Sequence, residues 1–103
     1  MKKRVMYIVF QNVQKNLHAK HVIQPVISFG MPLEIMKSKN NLWILAMKSQ
    51  EDAEDAVYVM NKYIQQLWPY YGSNVVVKFF SNIDELLQRE PFSKKVVTGR
   101  AET

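Results

Sequence analysis

A chain of 103 residues that is 48% hydrophobic suits one globular domain, and the absence of cysteine excludes disulfides, thiolate zinc sites and cysteine nucleophiles together. The formal charge of +5 is unevenly divided: residues 1–48 carry eight Lys and Arg against Glu34 alone, a net of +7, while residues 49–103 carry six against eight acids, a net of −2. A cationic first half suits an anionic partner, most commonly a phosphate polymer, although lysines can also serve solubility alone.

The opening "MKKRVMYIVF" has the charged cluster and apolar run that start a signal peptide. The run stops at Phe10, short of the ~7 to 15 apolar residues of a signal core, with no small-residue cleavage site after it. No stretch approaches the ~20 apolar residues of a membrane-spanning helix. A soluble, unprocessed, cytoplasmic protein with no membrane partner is the expectation. "RVMYIVF", residues 4–10, is β-branched and aromatic without a breaker and predicts the first strand.

Residues 12–24 read in two ways. Val13, Leu17 and His21 recur at helical spacing, yet "HVIQPVISF" also reads as extended, and Pro25 ends any helix before it. Gly30 and Pro32 then mark a bend. Leu33 and Ile35 alternate with Glu34, "SKNN" supplies turn residues, and "LWILAM" follows, so residues 33–48 predict a hairpin. Alternation along its second strand places Leu42, Ile44 and Ala46 on one face and Trp43, Leu45 and Met47 on the other, both apolar.

Ser49 is an N-cap candidate, and Glu51, Asp52, Glu54 and Asp55 suit the positive end of a helix dipole. The stripe Ala53, Ala56, Val57, Met60, Tyr63, Ile64, Leu67 predicts a helix that packs on the sheet and ends at Pro69 and Gly72. "NVVVKFF", residues 74–80, predicts the next strand, and Ser81 can cap a short helix, "NIDELLQ". The organisation expected is a single α+β domain over residues 1–90, followed by a polar, mobile tail over residues 91–103. Its strand–helix–strand end makes those two strands parallel. The whole predicts a ferredoxin-like βαββαβ sandwich, an antiparallel sheet with helices on one face, plus a short C-terminal helix.

"LWILAMKSQEDAEDAVYVMN" resembles the third strand and second helix of RNA-recognition-motif domains, and "VMYIVF" resembles their first strand, with Tyr7 where an aromatic ring usually faces RNA. The resemblance implies a ferredoxin-like fold and RNA binding. Counting back from Ala53, the residues matching the family's third-strand signature run from Asn40 to Met47, so its two stacking positions hold Leu42 and Ile44. Each ring lost removes ~1 to 3 kcal/mol of base stacking, so contact with the phosphate backbone has to carry more of the binding.

The expected function is therefore a small basic non-enzymatic binding module that contacts a nucleic-acid backbone, RNA favoured, through Lys2, Lys3, Arg4, Tyr7, Lys15, Lys20, Lys37 and Lys39. His18 and His21 belong to the same basic region. The alternative is a protein-binding adaptor or inhibitor, or a homodimer, that uses an open apolar sheet face of Tyr7, Val9, Leu42 and Ile44; the short helix or the tail could instead cover that face. No cofactor is expected. His18 and His21 supply too few ligands for a metal, and the acids after Ser49 are explained by capping. Trp68, Tyr70 and Tyr71 could stack on a base or close one end of the core. No glycine-rich phosphate loop, nucleophile elbow or catalytic triad is present.

Overall fold

The computed structural model describes residues 5–96. The cations Lys2, Lys3 and Arg4 lie outside them. The described residues form an α+β fold in the order β1 (Met6–Gln11), α1 (Ala19–Ile23), β2 (Glu34–Ser38), β3 (Trp43–Met47), α2 (Gln50–Lys62), α3 (Ile64–Tyr71), β4 (Val76–Phe80), α4 (Asp84–Arg89) and β5 (Phe92–Val96). The strands make one open antiparallel sheet in the order β4-β1-β3-β2-β5. This arrangement is compatible with a ferredoxin-like fold. Because β3 and β4 are each antiparallel to β1, they run in the same direction on either side of it.

Alternation divides the strands between two cores. Met6, Ile8 and Phe10 of β1, Trp43, Leu45 and Met47 of β3, Ile35 of β2 and Val77 of β4 face α1, α2 and α3, where they meet Val22, Ala53, Ala56, Met60 and Tyr71. On the other face Val9, Met36, Leu42 and Ile44 form a second cluster with Ile83, joined by half-buried Tyr7, Phe80, Leu86 and Phe92. Within the first core Tyr71 is wholly buried, its ring centroid is 4.9 Å from that of Phe10, and its hydroxyl donates to the carbonyl of Val22 at 2.8 Å. Burial, reinforced by neighbouring Tyr70, pushes the Tyr71 phenol far above its usual range, so it stays a neutral donor.

Local sequence accounts for most boundaries. The hydroxyl of Ser49 accepts from the amide of Asp52 at 3.2 Å, which caps α2, and Glu51 and Asp52 lie in its first turn. Ser38, buried at the end of β2, accepts from the amides of Asn40 and Leu42 at 3.1 and 3.3 Å and so closes the β2–β3 turn. Asn41 completes that turn at φ +63°, a conformation that asparagine tolerates better than most residues.

Five expectations are corrected or decided. Residues 12–24 are neither wholly helix nor extended: a loop with positive φ at Asn12 and Asn16 leads into the five-residue α1, and turns follow it. The helix after Ser49 is broken at Tyr63, whose φ of −117° and ψ of 37° leave the α region; Tyr63 is exposed, so the stripe stops being continuous there. Pro69 lies inside α3 and does not end it; Gly72, at φ +109°, does. Ahead of α4 it is Asn82, not Ser81, whose side chain accepts from the amide of Asp84, at 2.8 Å. Lastly, the expected tail supplies β5. Phe92 pairs with Ser38 and packs into the second core, while Lys94 pairs with Met36 and reaches Glu34 at 3.6 Å, so Phe92 anchors the start of an edge strand.

Candidate nucleic-acid interface

The apolar sheet face of Tyr7, Val9, Leu42 and Ile44 is covered, the second of the two arrangements its sequence allows. Val9 and Ile44 are fully buried and Leu42 is nearly so, because Ile83 and Leu86, at the start of α4 and within it, close over them from the β4 side and Phe92 does so from the β5 side. Tyr7 is half-buried in this cluster and lines a hollow under α4 with Glu34, Met36, Ile83, Leu87 and Lys94. It is therefore on the face opposite Lys37, because Tyr7 pairs with Ala46 whereas Lys37 pairs with Trp43. The structure thus separates the expected aromatic contact from Lys37, one of the expected cations.

Lys15, Lys20, Lys37 and Lys39 instead lie on segments around one end of the sheet, and specific backbone contacts bring that end together. The amide of Val13 donates to the carbonyl of Asn41 at 3.3 Å, which joins the loop after β1 to the β2–β3 turn. The amide of Gln14 donates to the carbonyl of Tyr71 at 2.7 Å, and its side chain donates to that of Tyr70 at 3.1 Å. Gly72 is needed at this junction: a Cβ there would sit 3.3 Å from the Cβ of Gln14, and the backbone already has positive φ. Lys15 is exposed in this loop, and Lys20 is exposed on α1.

Two hollows meet along the edge of the sheet at this end. One, of about 380 Å³, is lined by Lys37, Ser38, Lys39, Asn41, Pro91, Phe92 and Ser93. The other, of about 200 Å³, lies toward α1 and is lined by Leu17, His18, Ala19, Ile35, Lys37, Trp43 and Ser93. They share Lys37 and Ser93, which face each other across the β2–β5 ladder. The ammonium of Lys37 sits 5.2 Å from the centroid of the Trp43 ring. His18 and His21 lie beside this edge with ring centroids 5.6 Å apart. The side-chain amide of Asn40 donates to the Glu90 carboxylate at 2.8 Å, which holds that acid against the turn.

Chemically the edge offers mobile, exposed ammonium groups, imidazole and hydroxyl donors, and a small apolar recess. Such a set suits phosphate oxygens and flat rings. Among the described residues no group of three or more His, Cys, Asp and Glu could hold a metal ion, and no helix is long and apolar enough to cross a membrane. Two residues of the edge were not expected there. Trp43 is a member of the first core that reaches the edge of the recess, and Ser93 falls in the segment that reads as tail; only the pairing of β5 with β2 brings Ser93 beside Lys37. No protein-family model matches the chain, and no curated protein matches it significantly.

Proposed function

We propose that the protein is a small basic, non-enzymatic binding module of ferredoxin-like, RNA-recognition-motif-like topology that acts in the cytoplasm and contacts a nucleic-acid backbone, RNA favoured. The observation that carries this reading is the meeting of Lys37, Lys39 and His18 along the two joined hollows, with exposed Lys15 and Lys20 on the adjoining segments. Exposed lysines that converge on a concave edge neutralise phosphates and release condensed counterions, which gives affinity without base specificity. On this reading the contact lies at the edge, because the face that holds Tyr7 and the two positions where the family's stacking rings would stand is covered.

The second reading is a protein partner or a second copy of the chain seated on Tyr7, Val9, Leu42 and Ile44. It requires α4 to lift away. None of the residues of α4 itself is fully buried, so its hold on the sheet rests mainly on Ile83 and half-buried Leu86.

The test of the first reading is fluorescence anisotropy with labelled single-stranded RNA and duplex DNA at low and near-physiological salt. Micromolar or tighter RNA binding that falls steeply with salt is expected. Absence of binding at low salt would discard the nucleic-acid reading in favour of the protein partner.

A further inference from the structure

The hollow toward α1 differs in chemistry from the groove beside it. Leu17, Ala19, Ile35 and Trp43 give it an apolar lining, and Lys37, His18 and Ser93 supply its polar groups. A phosphate alone has no use for four apolar residues. We propose that this hollow receives one unstacked base of a single-stranded nucleic acid, which packs against Trp43 while Lys37 moves from that ring to the adjacent phosphate. The proposal rests on the nucleic-acid reading above and specifies the form of nucleic acid taken.

Size is the first support. At about 200 Å³ the hollow is smaller than the ~300 to 1,000 Å³ of sites that enclose a whole small-molecule ligand, so it suits one flat ring whose sugar and phosphate stay outside.

The second support is the contact that already occupies the ring. Trp43 is 4% exposed, with the Lys37 ammonium 5.2 Å from its centroid. With so little of the ring exposed, Lys37 has to leave before a base can meet Trp43. When a nucleotide arrives, the ammonium gains an anionic partner and the base takes over the ring. Both changes are favourable, because a base stacked on an aromatic ring is worth more than an exposed cation–π contact.

Charge complementarity is the third support. Lys37 and Ser93 continue into the neighbouring groove, where Lys39 follows, so the phosphate next to the seated base has a second cation along the strand. A duplex meets these terms poorly, because its bases are paired and one would have to be flipped out at an energetic cost.

The test uses the full chain carrying Trp68→Phe, a change at a partly exposed position that leaves Trp43 as the sole tryptophan. Three probes are compared by anisotropy and tryptophan fluorescence: a short labelled single-stranded RNA, an abasic strand with the same sugar–phosphate backbone, and the RNA as a duplex. The intact single strand is expected to bind roughly tenfold more tightly than the abasic strand, to outcompete the duplex, and alone to quench Trp43. Equal affinity for intact and abasic strands with unchanged fluorescence would overturn the base-receiving hollow while leaving backbone contact standing. Failure of all three probes to bind would overturn the nucleic-acid reading and this inference with it.

Discussion

Lys37→Glu combined with Lys39→Glu is expected to weaken single-stranded RNA binding at least tenfold near physiological salt. Each lysine that neutralises a phosphate contributes about 0.7 to the slope of log affinity against log salt for a single strand, so the double variant should also show a slope shallower by about 1.4. Reversal does more than removal, because the new carboxylates repel the strand from both hollows at once. Lys37 and Lys39 are exposed, so circular dichroism and the thermal midpoint should change little. The control is Lys62→Glu with Lys78→Glu, which alters net charge equally but on α2 and on the β4 edge. A local interface predicts a large loss in the first double variant and a small one in the second. Equal losses would mean that net charge alone governs binding.

Ile44→Asp is expected to unfold the protein. Ile44 has no exposed surface and lies on β3, the middle strand of five, packed within the cluster of Val9, Met36, Leu42 and Ile83. A carboxylate there loses its hydration without gaining a partner, and the removed aliphatic groups leave a void, for a combined cost of roughly 5 to 10 kcal/mol. Domains of this size have about 5 to 15 kcal/mol of total stability. Loss of the cooperative thermal transition is the expected observation. A folded Ile44→Asp protein would show that α4 does not seal this face, and the protein-partner reading would gain accordingly.

Where local signals are strong, sequence and structure agree. The unbroken apolar run of β1, the turn residues between β2 and β3, and Ser49 followed by acids at the start of α2 each specify their element within a few residues. Alternation along "LWILAM" assigned both faces of β3 correctly, because a central strand buried on both sides leaves period-two partners on each. What stayed hidden depends on distant partners. "FSKKV" has one aromatic residue and two lysines, and it becomes a strand only because β2 offers a free edge and the second core offers Phe92 a place. The break at Tyr63 interrupts a stripe that is continuous in sequence, since spacing cannot show that the chain leaves the α region at one residue.

The candidate site was legible as a set of cations and illegible as a place. Lys37, Lys39, Lys15 and Lys20 stand out from charge alone. Tyr7 also stood out, yet its position on β1 turns it to the other face of the sheet, under α4. The apolar recess joins residues 17–19, β2, β3 and β5, four segments whose proximity only the assembled sheet establishes.

The most direct test of the account is a heteronuclear NMR titration of the labelled protein with a short single-stranded RNA. The account predicts amide shifts concentrated at residues 15–20, 37–41 and 91–94, with the aromatic signals of Trp43 moving alongside them. Shifts confined to α2 and α3, to α4 and the sheet face beneath it, or to no residues at all would contradict it.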